Sequence, residues 1–136
     1  MLARRALITT AVCLTSVAVA WKLSARERVL LAGSFHSVAH KGTGSAQIVQ
    51  LSDGHRQLRL IEAKTYPSSD LDVCLIAAPD AEDNDTVREA GVICLGSFGS
   101  LNSYPVPASL DLNRYRAVTI WSRSYQVNFT TAPLGE

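Results

Sequence analysis

Two cysteines, Cys74 and Cys94, are the side chains of this 136-residue chain best suited to redox chemistry or to a covalent cross-link. The third cysteine, Cys13, falls in an apolar N-terminal run, so the rest of the chain holds an even number of thiols. Antiparallel strands joined by a hairpin centred on Asn84 would place Cys74 opposite Cys94. A disulfide there would close a loop of about 20 residues and add ~3 kcal/mol to stability in the chain-entropy model.

The alternative to a disulfide is a pair of separately buried thiols, because free cysteine packs as a small hydrophobic residue. A catalytic dithiol is disfavoured, since the sequence has no Cys-x-x-Cys spacing and no basic residue adjoins Cys74 or Cys94 to lower a thiol pKa. The sequence leaves the structural disulfide and the two separate thiols open.

The histidines and acidic residues do not form a recognisable metal-binding motif. His36 and His40 are four residues apart, which in an extended strand is ~13 Å and too far to share one ion. The acidic stretch over residues 80–85 lacks the glycine and the terminal glutamate of a regular calcium loop. We therefore predict no metal site and no cofactor. Ser122 has no sequence context that pairs it with a histidine, so we interpret it as a packing residue rather than a nucleophile.

The elements that must position these side chains have the pattern of β-strands. The clearest local signal is a hairpin over residues 45–62 that turns at Asp53-Gly54, a dipeptide that favours a two-residue type I′ turn. That turn sets Val49 opposite Leu58. One face of the hairpin is then mostly apolar and the other mostly polar, as a half-buried strand pair requires.

The rest of the pattern predicts an all-β fold, an antiparallel two-sheet β-sandwich of about seven to nine short strands. Residues 71–77 form a nearly continuous apolar run, typical of a strand buried on both faces. Prolines confine residues 104–108 to an edge strand or an extended segment. The last segment, residues 116–129, exceeds the usual strand length, so we expect it to bend or bulge around residues 122–124.

The N-terminal residues 1–21 have the features of an export signal. Two arginines precede an uncharged run over residues 6–20, which is short of the ~20 apolar residues that a spanning helix needs. We expect a cleaved hydrophobic signal helix, with a retained anchor as the alternative, then a linker over 22–28 and one domain over 29–136. The domain is expected to be extracytoplasmic, either periplasmic or secreted.

The charge of the chain argues against nucleic acid and anionic membranes as partners. The chain has a formal net charge of +1, and loss of the N-terminal segment with Arg4 and Arg5 leaves eleven basic residues against twelve acidic ones. The basic residues are also scattered along the sequence. A nearly neutral domain has no electrostatic reason to bind nucleic acid or an anionic membrane. We expect an unknown protein or small-molecule partner, and membrane contact only through an uncleaved N-terminal segment.

An ordered set of short motifs runs through the predicted domain. The set comprises Gly33-Ser34-Phe35, His40 before the Gly42–Gly44 turn, Asp53-Gly54, Ser69-Asp70-Leu71, Leu95-Gly96, Tyr104, Pro107, Asp111, Leu112, Tyr115 and Ile120-Trp121. With these motifs the chain resembles the electron-transfer DM-13 domain family over roughly residues 30–134. The resemblance implies a β-sandwich module of exported or membrane-attached proteins, often found beside DOMON domains, with a proposed electron-transfer role.

One departure from that family bears on function. Members usually carry a cysteine directly after the tryptophan, whereas this chain has Ser122 after Trp121 and cannot cycle between thiol and disulfide there. Because the family cysteine is absent, we expect a non-enzymatic accessory or interaction domain. The alternative is a redox or electron-transfer domain that works through a cofactor or through Cys74 and Cys94. The aromatic residues at family-motif positions are expected to hold the sheets together; they are Trp121, Tyr104 and Tyr115, with His40 as a further motif position.

Overall fold

A computed structural model describes residues 27–136, so the predicted signal and most of the predicted linker lie outside the described residues. The elements of this range are β1 (Arg28–Ser34), β2 (His36–Ser37), β3 (Thr43–Gln50), β4 (Arg56–Lys64), β5 (Leu71–Ile76), α1 (Asn84–Glu89), β6 (Val92–Ser97), β7 (Ser103–Val106), β8 (Ala117–Ser122) and β9 (Val127–Pro133). Within residues 27–136, no helix has the length and apolar character needed to cross a membrane.

The described strands form two antiparallel sheets. One sheet has four strands in the order β1-β3-β4-β7, and the other has five in the order β2-β9-β8-β5-β6. Their facing apolar side chains form the main core, with Ile48 and Leu58 from the first sheet and Val73, Leu75 and Ile120 from the second. This arrangement confirms the predicted all-β two-sheet sandwich.

Strand β5 is buried on both faces, as its apolar run predicts. Its outer face is covered by α1 and the loop before it, where Ala81 and Val87 pack against Cys74 and Ile76. The helix starts at a standard cap, because the Asp83 carboxylate accepts a hydrogen bond of 2.7 Å from a first-turn backbone N–H. A short capped helix thus covers the outer face of this sheet, and the two form a second, smaller core between them.

The β3–β4 hairpin has a longer turn than the sequence predicts. The Gly54 N–H donates to the Leu51 carbonyl over 3.0 Å, and Gly54 has a φ of 90°, which is a left-handed conformation that suits glycine. This three-residue loop places Leu58 opposite Ile48, so the predicted pairing with Val49 was wrong by one residue. Asp-Gly occurs in hairpin loops of two residues and of three residues. A shift of one residue in the pairing turns every side chain of one strand to the other face of the sheet.

The last segment also differs from expectation. Residues 116–129 do not form one bent strand, because β8 ends at Ser122 and the chain reverses into β9. Gln126 takes a φ of 56°, and its N–H donates to the Ser122 carbonyl over 2.9 Å to close the turn. By contrast, β7 pairs with only β4 among the described strands and carries Pro105, which confirms the edge-strand alternative for residues 104–108.

Candidate functional site

Cys74 and Cys94 form a disulfide in this structure. Their sulfur atoms are 2.02 Å apart, and the two residues are cross-strand partners on β5 and β6. The antiparallel pairing is centred on Asn84, which is the arrangement that the disulfide alternative requires. The disulfide alternative is therefore confirmed, and the alternative of two separate thiols is wrong.

The two ends of the disulfide have different environments. Cys74 is fully buried, whereas Cys94 lies exposed on β6, an edge strand of the five-stranded sheet. Cys94 opens into a surface groove of about 380 Å³, called here the cystine groove. Its lining consists of Asp72, Val87, Arg88, Val92, Cys94, Trp121, Arg123 and Gln126.

The arginines of the cystine groove already have partners. Arg123 Nε donates to an Asp72 carboxylate oxygen over 2.8 Å, and Arg88 Nη2 donates to the Gln126 carbonyl over 3.0 Å. A second Arg88 nitrogen lies 3.0 Å from the Asp85 carboxylate. The guanidinium groups of Arg88 and Arg123 are therefore paired with oxygen atoms of the protein rather than with the sulfur atoms of the disulfide.

The burial of Cys74 determines how the disulfide can react. An incoming thiolate can reach Cys94, and it would then expel Cys74 as the leaving thiolate. Cys74 sits among apolar side chains, including Ile76 and Trp121, and an apolar environment raises a thiol pKa and makes such a leaving group poor. The geometry therefore favours a disulfide that holds β6 against β5 over one that exchanges readily.

Ser122 is fully buried and belongs to a hydrogen-bond network around a carboxylate. Its hydroxyl donates to Asp70 over 2.8 Å, and Asp70 also accepts from the Ser68 hydroxyl at 2.6 Å and from the Ser124 N–H at 2.8 Å. We call these four residues the Asp70 network. The Ser68 hydrogen bond, followed by those from Ser124 and Ser122, holds the pKa of Asp70 far below its usual range.

A sequence profile described as "Electron transfer DM13" matches residues 34–134, from the end of β1 through β9. This chain belongs to the electron transfer DM13 family. The match covers nearly all of the described sandwich and agrees with the resemblance that the sequence motifs indicate. Searches of curated proteins and of solved structures return no match.

Two DM13 motif aromatics are structural in this chain. Trp121 lies on the outer face of β8 and packs with Cys74 in the second core. Tyr104 is fully buried, and its hydroxyl shares its one proton between the Ser97 and Leu101 carbonyls, at 2.7 and 3.0 Å. Burial raises the pKa of Tyr104, which keeps the phenol in its neutral, donating form. These contacts agree with the expectation that aromatic residues hold the sheets and their loops together.

The other two DM13 motif positions lie away from the cystine groove. The His40 imidazole stacks on Tyr66, with ring centroids 4.8 Å apart, and contacts the Phe129 ring at 4.3 Å. Tyr115 is half-buried against the main core. Its hydroxyl approaches Gly91 so closely that a Cβ there would lie 2.9 Å from it. The structure therefore does not bring the motif residues into a single site.

Sequence reasoning missed the Asp70 network and also a contact between a histidine and a carboxylate. His36 Nε2 lies 2.7 Å from the Asp80 carboxylate and joins β2 to the loop before α1. The two residues are 44 positions apart, and nothing in the local sequence links them. Among residues 27–136, no three His, Cys, Asp or Glu side chains gather in a way that could hold a metal ion.

Proposed function

We propose that this DM13 domain is a non-enzymatic accessory module that works outside the cytoplasm, in the periplasm or after secretion. The observation that carries the proposal is the Cys74–Cys94 disulfide with its buried Cys74 end. Disulfides of this structural kind persist in oxidising compartments and are rare in the cytosol. The sequence of residues 1–21, with the pattern of an export signal, supports the same location.

The state of position 122 supports an accessory role. The family cysteine is replaced by a hydroxyl that is buried and hydrogen-bonded to Asp70. A hydroxyl cannot accept or release electrons in the way a thiol does. The residue at this position therefore contributes to the fold of the β8–β9 turn and leaves partner binding to other surfaces.

Thiol alkylation of the native full chain, read by mass spectrometry, tests the accessory role. We expect no alkylation of Cys74 or Cys94, because the two are bonded to each other. Incubation with reduced glutathione at roughly millimolar concentration should not add label to either residue, since structural disulfides resist the glutathione pool. Rapid labelling of Cys74 and Cys94 under this mild reductant would contradict the proposal. Fractionation of expressing cells checks the location, and purely cytosolic protein would count against export.

A redox role remains the second candidate function, and the exposure of Cys94 in a groove beside Trp121 favours it. A partner dithiol would supply the electrons. One partner thiolate would bond to Cys94 Sγ as the Cys74–Cys94 bond breaks, and Cys74 would take up a proton. The second partner thiol would then displace Cys94, which leaves the partner oxidised and the domain as a dithiol. Equilibration with a dithiol–disulfide buffer separates the candidates, because a redox domain should cycle near thioredoxin-like potentials of about −270 mV.

A further inference from the structure

The outer strands of the two described sheets differ in how their open edges are protected. An edge strand presents unpaired backbone N–H and C=O groups, which proteins protect with short strands, prolines, charges or covering segments. Strand β2 has two residues, and β7 carries Pro105. Strand β1 is partly covered by the C-terminal segment, because Ala32 and Gly135 exchange backbone hydrogen bonds of 2.8 and 2.9 Å. Each of these three edges therefore has a protecting feature.

Strand β6, the fourth outer strand, lacks these features. It contains no charged residue and no proline, and the whole segment 91–110 is uncharged. Within residues 27–136, no strand pairs with its outer side. A bulge at Leu95 bends the second half of the strand, but Val92–Cys94 pair regularly with β5. The edge of β6 is therefore open over its regular part.

The hydrogen bonds of β6 show which backbone groups face outward. The Ala77 N–H donates to the Gly91 carbonyl over 2.8 Å, so the Gly91 carbonyl faces β5. Residues of an antiparallel strand alternate in the direction of their N–H and C=O groups. Ile93 therefore also faces β5, whereas Val92 and Cys94 point their N–H and C=O groups away from the sheet. No backbone hydrogen bond from another described element reaches these outward groups.

The side chains of this edge offer apolar surface on both faces of the sheet. Ile93 and Leu95 are half-buried and pack against the main core. Val92 is 40% exposed and lines the cystine groove together with Cys94. A strand added at this edge would satisfy the outward backbone groups and would cover apolar side chains on both sides. The chemistry of the edge thus fits an extended, uncharged strand.

We propose that β6 pairs antiparallel with β6 of a second copy of this chain, about a two-fold axis through Ile93. Val92 and the partner subunit's Cys94 then exchange N–H···O=C hydrogen bonds, and the two-fold axis repeats this pair. The Ile93 side chains of the two copies meet on the core face. Because β6 is uncharged, no like charges oppose each other along the paired strands.

A second copy is the occupant that these observations favour, because every molecule with this uncharged edge also supplies an identical one. The paired stretch is short, so the dimer is of the weak, concentration-dependent class. In the dimer, each Val92 side chain lies beside the partner subunit's Cys94 and limits access to the disulfide. This interface goes beyond the accessory role, since it depends only on the edge of β6 and not on export or on redox chemistry.

Sedimentation equilibrium of the full chain, over an about hundredfold range of protein concentration, tests the proposal. We expect the average mass of the wild type to rise from monomer towards dimer. Val92→Lys should raise the dimer dissociation constant about tenfold, because the two-fold axis presents the charge twice and an edge lysine disfavours strand pairing. Val29→Lys is the matched control, since it also replaces an exposed valine of an outer strand, on β1, and should leave the dissociation constant unchanged.

A wild-type chain that stays monomeric over the whole range would overturn the proposal and would leave the edge to an extended segment of another protein. Association of Val92→Lys equal to that of the wild type would also overturn it, because the contact would then lie elsewhere, for example in residues 1–26. Either failure leaves the accessory role untouched, since that role is tested by alkylation and fractionation.

Hydrogen exchange of the wild type locates the contact without any substitution. The Cys94 amide points outward, so its exchange should slow as protein concentration rises and the dimer forms. The Ile93 amide already faces β5 and serves as the internal reference. Exchange of the Cys94 amide that is independent of concentration in a dimeric wild type would show that the copies meet elsewhere and would refute pairing through β6.

Discussion

At the scale of single residues, position 122 shows how the choice of serine over cysteine changes what one buried side chain can do. The Ser122 hydroxyl, the Ser68 hydroxyl and the Ser124 N–H together surround the Asp70 carboxylate with donors. A thiol is a weaker donor than a hydroxyl, so the Asp70 network suits serine. The network fastens the β8–β9 turn to the loop before β5.

We predict that Ser122→Cys folds but loses about 1 kcal/mol of unfolding free energy, because the thiol forms a weaker hydrogen bond to Asp70. The new thiol should also react slowly with alkylating reagents, since position 122 is fully buried. Ser109→Cys is the control, because Ser109 is exposed in a loop. It should keep wild-type stability and label quickly. Fast labelling at position 122 would contradict the burial of this side chain.

A second residue-scale prediction concerns pH. Burial alone lowers the pKa of His36, but the hydrogen bond to Asp80, then that to the Ser37 carbonyl, outweigh burial and raise the pKa above 6.5. The folded state therefore holds this proton more tightly than the unfolded state. The resulting stability is present in full below about pH 6.5 and is lost as pH rises through the folded pKa.

The check is urea unfolding at about pH 5.5 and about pH 8.5. The wild type should lose more stability over this interval than His36→Gln, by less than ~1 kcal/mol because the pair is partly exposed. Asp80→Asn keeps an oxygen that can accept the Ala81 N–H hydrogen bond but removes the charge, so it should reduce the loss in the same way. If all three proteins lose equal stability, the His36–Asp80 pair makes no pH-dependent contribution.

At the scale of elements, the disulfide attaches the edge strand β6 to the rest of the five-stranded sheet. Strand β6 is an edge strand whose six residues are all exposed or half-buried, so apolar burial holds it weakly. The Cys74–Cys94 bond joins it to β5, which is buried along its whole length. We infer that the edge of the five-stranded sheet depends on this cross-link.

Replacement of both cysteines in Cys74→Ala/Cys94→Ser should lower the unfolding free energy by ~3 kcal/mol, the chain-entropy value for a loop of about 20 residues. Chemical denaturation measures the change. Wild-type protein under strong reductant should fall to nearly the same stability, while the double variant should not respond to reductant. A double variant as stable as the oxidised wild type would contradict a structural role for the disulfide.

The same scale shows what the sequence could predict. The buried strand β5 could be predicted from its run of apolar residues. The edge strand β7 could be predicted from its proline, because a residue without a backbone N–H cannot donate to a strand on both sides. The register of β3 against β4 did not follow, since Asp53-Gly54 suits loops of two or three residues. The reversal after Ser122 was missed because its turn places Gln126 in a left-handed conformation. Glycine is the usual sequence signal of such a conformation, and residues 123–126 contain no glycine.

At the scale of the whole molecule, the sequence predicted the sandwich but left the disulfide open and did not show where ligands could bind. A bond between Cys74 and Cys94 depends on the register of β5 against β6, and the chain joins these strands through α1 rather than through a tight turn. A pocket of about 500 Å³ combines residues from β4, from the start of β5 and from the loop after β6, which meet only when the two sheets stack. The buried Thr65 Oγ1 atom, which has no hydrogen-bond partner among the described residues, likewise has no signature in the sequence.

The Cys74–Cys94 bond also has a mechanical consequence. The two residues are 20 positions apart, so the segment between them cannot lengthen while the bond is intact. An oxidised chain pulled from its ends would reach an extended length about 65 Å shorter than a reduced one, at ~3.3–3.6 Å per residue. The helix α1 lies inside this closed loop and carries no tension. In an oxidising environment, a part of the domain that includes one wall of the cystine groove is thus shielded from stretching.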